Sequence, residues 1–167
     1  MAHTALAGRS ADLARLGGIE IAFPAQVDVR VADGSAVGFP TEPNTWARVA
    51  GRDVLWLGPD EWLVVAADTA EAIADLESSL AGSHHSIVDV SANRAVIELA
   101  GAGRLELLSS ACPIDLDPRS WTEGRCAQTL FGAAQVLLQE RAEETRLFVR
   151  PSFATYVVDL LLAGVPG

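Results

Sequence analysis

The sequence predicts an α+β fold: antiparallel sheets with helices packed on one face, repeated in two similar halves. Short runs of alternating apolar and polar residues, each closed by turn residues, recur along the 167-residue chain. The order strand, turn, strand, helix occurs from Trp46 to Gly82 and returns from Gln135 to Leu161. Turns this short between runs favour antiparallel pairing, because a parallel partner needs a long crossover.

The elements follow in order. Met1 to Ala11 is small and polar, so residues 1–17 are expected to form a flexible arm that frays or orders on a partner, leaving 18–167 as one α+β domain of two similar halves. Ile19, Ile21 and Phe23 alternate on one strand, and Val27, Val29 and Val31 on a second beyond the Pro24 break. Asp33-Gly34 and the region from Pro40 to Pro43 form a loop. Trp46–Val49 and Val54–Leu57 flank a turn at Gly51-Arg52-Asp53, and Gly58-Pro59-Asp60 leads into the strand Glu61–Val65. Asp68 or Thr69 caps a helix with Ile73, Leu76 and Leu80 on its apolar face and Glu71, Asp75 and Glu77 towards solvent, stopped by Gly82. Arg94–Leu99 reads as a strand, and Gly101-Ala102-Gly103 turns into a leucine-rich helix that Pro113 ends. Gln135–Gln139 and Arg146–Arg150 flank a charged turn, and Pro151-Ser152 opens the last helix.

Composition excludes several classes. Half the residues are hydrophobic, enough for a sizeable core. Twelve basic against twenty-two acidic residues give a net charge of -10, which repels nucleic acid and anionic membranes. No run approaches a membrane span and the first residues lack the apolar stretch of a signal peptide, so a cytoplasmic location is expected.

No catalytic set emerges. Cys112 and Cys126 lack CxxC spacing and a neighbouring histidine, and are expected to be reduced, buried and inert. His3 lies in the arm, while His84 and His85 are adjacent and point apart in an extended segment, which disfavours a zinc site. Gly101-Ala102-Gly103 can cradle phosphate or form a plain turn, but lacks the longer glycine-rich fingerprint and any following Lys-Ser/Thr pair.

Five residues are candidates for contact with a partner or ligand. Asp89 can accept a hydrogen bond and Arg94 can clamp a carboxylate in bidentate fashion, or the two can serve a local turn, with Asp89 bonded to nearby amides or paired to Arg94. Arg146, Arg150 and Phe153 form a second patch around Pro151, suited to an acidic or apolar partner surface. Trp46, Trp56 and Trp62 lie close together in sequence and fit either a core cluster or a contact patch.

From about Val54 to Leu161 the chain resembles the gamma subunit of heterotetrameric bacterial sarcosine oxidase. The resemblance rests on Trp56-Leu57-Gly58-Pro59-Asp60-Glu61-Trp62-Leu63, on Asp89-Val90-Ser91 with Arg94, and on Leu107-Leu108-Ser109 leading to Cys112-Pro113-Ile114-Asp115-Leu116. Gly124 with Thr129-Leu130 and the run Arg146-Leu147-Phe148-Val149-Arg150-Pro151-Ser152-Phe153 complete it. It implies an aminomethyltransferase-like fold and an accessory, non-catalytic role beside alpha, beta and delta subunits. It also implies a complex that demethylates sarcosine with oxygen to glycine, hydrogen peroxide and a one-carbon unit that tetrahydrofolate can accept. The FAD, FMN, NAD and zinc of such a complex are implied to belong to the other subunits, with none bound by this chain. Two alternatives remain open: a free-standing folate-binding aminomethyltransferase-like protein, and a cysteine-dependent repair protein of the same fold, cued by Gly124-Arg125-Cys126.

Overall fold

The computed structural model describes residues 4–165. The chain separates into two compact units, one formed by Phe23–Ala92 and one by the residues up to 22 together with those from 93 onward. In chain order the elements are α1 (Ser10–Arg15), β1 (Gly18–Ile21), β2 (Ala25–Val31), a short 3-10 turn (Gly34–Val37), β3 (Trp46–Val49), β4 (Arg52–Gly58), β5 (Glu61–Ala66), α2 (Thr69–Ser79) and β6 (His85–Asp89). They continue with β7 (Ala95–Ala100), α3 (Arg104–Ser109), β8 (Cys126–Phe131), β9 (Ala134–Glu140), β10 (Glu144–Val149) and α4 (Pro151–Ala163).

In the unit Phe23–Ala92 the sheet runs β3-β4-β5-β2-β6, antiparallel throughout. The alternation of β2 places Val27, Val29 and Val31 on one face, where they pack with Val54, Trp62 and Val64 against Ala72, Leu76 and Leu80. Those last three recur every four residues and so form one side of α2 and its C-terminal end. Asp68 starts α2 by accepting the Glu71 amide at 2.8 Å.

The β3–β4 loop is Ala50-Gly51, both with positive φ (49° and 79°), between the paired residues Val49 and Arg52. That is the left-handed geometry a two-residue hairpin needs. The turn therefore falls earlier than Gly51-Arg52-Asp53, and Arg52 and Asp53 become strand residues.

The tryptophans divide between faces. Trp56 and Trp62 are cross-strand partners. Trp62 is a core residue, 1 % exposed, with its Nε1 donating to Pro40 O at 2.8 Å and its ring 5.5 Å from that of Phe39. Trp46 pairs with Leu55 instead and points to the opposite side.

In the other unit the sheet runs β1-β7-β10-β9-β8, again antiparallel. Ile97, Leu99, Leu147, Val149, Val136 and Leu138 form its helix-covered face. Ala154, Val157, Val158 and Leu161 of α4 pack there, with Leu105 and Leu108 of α3. Each leucine buried in this way contributes about 1.5–3 kcal/mol.

The stretch expected as a flexible arm belongs to this unit over its described part. Leu6, Leu13 and Leu16 are buried in its core, Arg9 pairs with Asp159 at 2.6 Å, and β1 is zipped to β7 from Gly18–Leu99 to Ile21–Val96. Three leucines among small residues were enough to anchor a segment that composition alone assigns to solvent. The domain boundary at residue 18 is accordingly replaced by a division at 22/23 and again at 92/93.

The two units share one topology. Read from the other end, the second sheet is β8-β9-β10-β7-β1, matching β3-β4-β5-β2-β6 position by position, with α4 following β10 as α2 follows β5. The last place is filled by β6 after the helix in one unit and by β1, from the start of the chain, in the other. The repeat legible in the sequence is therefore a repeat of sheet order, with one strand exchanged for an N-terminal one.

Candidate functional site

Cross-strand register assembles the site. Gln128, Leu137 and Phe148 lie side by side on β8, β9 and β10, on the sheet face that α4 does not cover. Two residues along the same face stand Leu130 and Gln135. Because Val149 lies opposite both Val136 and Ala95, one further step brings Arg150 and Arg94 into that second row. With Asn93 these side chains surround an open cavity of about 530 Å³. Leu137 and Phe148 are buried beneath it, while Gln128, Gln135 and Arg150 are exposed.

Two guanidinium groups and three primary amides thus converge on one space, and no Asp, Glu, His, Cys, Lys or Tyr lines it. Arg150 donates from Nη1 to the Asn93 side-chain oxygen at 3.2 Å, a neutral acceptor. Such a set can bind an anion, most strongly a carboxylate gripped by a guanidinium fork. It offers no group to exchange a proton near neutral pH, so its chemistry is recognition.

Of the five sequence candidates, Arg94 and Arg150 meet here. Arg146 does not: it faces Glu98 in the β10–β7 register and donates Nε to the Glu98 carboxylate at 2.7 Å. Phe153, on α4, is 41 % exposed and meets Tyr156 edge to face, centroids 6.3 Å apart. Asp89 belongs to the Phe23–Ala92 unit, where it accepts the Ser91 hydroxyl at 2.6 Å and the Ser91 amide at 2.9 Å. Those two bonds hold its carboxyl below the ordinary aspartate range. Ser91 Oγ in turn accepts the Gln26 amide at 3.0 Å, so the Asp-Val-Ser segment ties the end of β6 to β2.

The remaining polar features are structural. Cys112 and Cys126 are not joined in a disulfide and both are buried. His85 bonds the Ser83 carbonyl at 2.9 Å and Glu77 at 3.0 Å, and the Glu77 contact leads in raising its pKa; His3 lies outside the described residues. The turn at Gly101 precedes a six-residue helix, and Arg104 spends its guanidinium on Gly101 O and on Glu140. A second, smaller cavity of about 260 Å³ lies in the Phe23–Ala92 unit, and its Arg52 is committed to Asp75 at 2.6 Å. Among the described residues no helix is long and apolar enough to cross a membrane.

Sequence reasoning missed Asn93, Gln128, Gln135 and Phe148. The available signal was the outward alternation of β8 and β9, which puts glutamine where an exposed strand face more often carries charge.

The comparisons with known proteins agree along the chain. The model of the sarcosine oxidase, gamma subunit family matches residues 24–164. The sarcosine oxidase subunit gamma of Corynebacterium sp. (strain P-1) is 36% identical over 155 residues, covering 86% of this chain and 76% of that protein. Its counterpart from Arthrobacter sp is 34% identical over 158 residues, covering 85% and 78%. Among solved structures, a chain of the heterotetrameric sarcosine oxidase from Corynebacterium sp. U-96, in complex with pyrrole 2-carboxylate, superposes with a TM-score of 0.87 at 28% identity over 98% of this chain and 94% of that one. The glycine cleavage system aminomethyltransferase T from Bartonella henselae gives 0.64 at 13% identity, covering 94% of this chain and 50% of the other, which shows the shared aminomethyltransferase-like architecture. On the family match and on relatives more than 30% identical across most of its length, the chain belongs to the sarcosine oxidase gamma subunit family.

Proposed function

We propose that this chain is the accessory gamma subunit of a heterotetrameric sarcosine oxidase, assembled with alpha, beta and delta subunits in the cytoplasm. The complex oxidatively demethylates sarcosine to glycine with formation of hydrogen peroxide, and releases the one-carbon unit free or to tetrahydrofolate. The observation that carries this reading is the near end-to-end match, TM-score 0.87, to a chain of a solved heterotetrameric oxidase.

The chain's own residues suit a subunit without a catalytic centre. No group of three or more His, Cys, Asp or Glu side chains among the described residues is arranged to hold a metal, so the donor set does not fit zinc. The glycine turn before α3 leads into a helix too short for a nucleotide fingerprint. We therefore assign FAD, FMN, NAD, zinc and the folate site to the other subunits. The contact residues proposed for this chain are Arg94 and Arg150, with Phe153 on the neighbouring helix; Asp89 and Arg146 serve the fold.

Co-expression with the three other subunits, followed by size-exclusion chromatography with mass spectrometry, tests the reading. Co-elution with flavin-containing subunits is expected. A chain that elutes alone and binds tetrahydrofolate unaided would instead identify a free-standing folate-binding protein.

A further inference from the structure

We infer that the cleft holding Arg94 and Arg150 receives a carboxylate side chain from another subunit of the assembly, an inference that rests on the accessory-subunit reading. The chain carries a net charge of -10, and most of its arginines are neutralised internally. Arg9, Arg30, Arg48, Arg52, Arg104, Arg119, Arg141 and Arg146 each lie within ion-pair distance of a carboxylate. Arg150 differs. Among the described residues its partner is the amide oxygen of Asn93, and a second arginine, Arg94, lines the same cleft. An anion in the cleft is attracted to both guanidinium groups at once.

The walls of the cleft say where that anion comes from. A site for a free small molecule encloses most of its ligand, whereas here Gln128, Gln135 and Arg150 are exposed and Leu130 is 44 % exposed. A carboxylate held only from below gains little in water; one delivered on a second protein surface is desolvated as the surface closes. Gln128 and Leu130 belong to β8, the last strand of the sheet, so the cleft lies at the sheet's border rather than at its middle.

The test is the affinity of the chain for the complex of the other three subunits, titrated at several salt concentrations. Arg150→Glu places an acid at the N-terminus of α4, where a negative charge favours the helix, so the variant keeps its fold. It is expected to weaken binding by at least about tenfold, with a shallower salt dependence. Gln135→Glu, which puts a competing carboxylate inside the cleft, is expected to weaken it likewise. Arg119→Glu, whose side chain is 90% exposed and lies outside the cleft, should bind as wild type. Wild-type affinity and salt dependence in both Arg150→Glu and Gln135→Glu would overturn the inference. So would tight binding of glutarate to the isolated chain, lost in Arg150→Glu, if that variant assembles normally; the cleft would then hold a free carboxylate. If the wild-type chain itself fails to bind the other subunits, the accessory-subunit reading falls first and takes this inference with it.

Discussion

Glu140 accepts a 3.0 Å hydrogen bond from the Trp121 indole on the same carboxylate oxygen that takes the Thr145 hydroxyl, while its other oxygen pairs with Arg104. Glu140 is 2 % exposed and Trp121 7 %. A single buried carboxylate therefore joins α3, β9, β10 and the loop that carries Trp121.

Removing the negative charge leaves the partly buried Arg104 guanidinium without its ion-pair partner, with only the neutral Gly101 carbonyl and Thr145 hydroxyl beside it. Glu140→Gln is expected to destabilise the chain by about 3–5 kcal/mol, and Trp121→Phe, which removes one neutral donor, by about 1–2 kcal/mol. Urea unfolding followed by far-UV circular dichroism measures both. A Glu140→Gln chain as stable as wild type would show that the network is ornamental.

Gly132 holds the β8–β9 turn against α4. Its φ is +58°, and an added Cβ would overlap Tyr156 Oη and lie 2.6 Å from a Leu160 methyl, where Tyr156 Oη accepts the Ala133 amide at 3.0 Å. Gly132→Ala therefore costs the left-handed strain of about 1–2 kcal/mol and a displacement of α4 besides. A melting temperature lower by several degrees is expected by calorimetry, and an unchanged one contradicts the packing described.

His85 gives a pH dependence with a defined sign. Its bond to Glu77, and after it the Ser83 carbonyl, raises its pKa above the ordinary histidine value of 6.5. The stabilisation it provides is complete below that ordinary value and disappears as pH rises through the raised one. Titration of its imidazole by NMR is expected to show a midpoint above 6.5, moving down in Glu77→Gln. A midpoint unmoved by that substitution would remove Glu77 as the cause.

The thiols are expected to be dispensable for turnover. Cys112 and Cys126 pack in the interior at 8 % and 0 % exposure, and Cys112→Ala and Cys126→Ala should each cost about 1 kcal/mol of stability while peroxide formation per assembled complex stays near wild type. A large loss of activity from Cys126→Ala in a folded, assembled complex would contradict the structural role.

The strands and helices were legible because their signals are local. Val27, Val29 and Val31 announce a half-buried strand, Asp68 announces the start of α2, and Pro151 the start of α4. The association of β1 with β7 was not legible, since it joins the two ends of the unit's discontinuous chain, and no local pattern encodes a partner so far along the sequence. The same applied to the cleft. Arg94 and Arg150 stand out on chemistry, but they reach one cleft because Val149 registers with Ala95, and the glutamines that complete the set are marked only by the outward alternation of β8 and β9. Asp89 was legible for the opposite reason: of its two readings the local turn needed only a partner close by, and Ser91, two residues on, supplies both its amide and its hydroxyl.

The central claim is that the chain works as an accessory subunit, and native mass spectrometry of the reconstituted oxidase, coupled to an assay of sarcosine-dependent peroxide formation, tests it most directly. The account predicts one copy of the 17.6 kDa chain in a four-subunit complex that forms peroxide, and no activity from the chain alone. A chain that stays outside the complex, or that turns over substrate unaided, would contradict it.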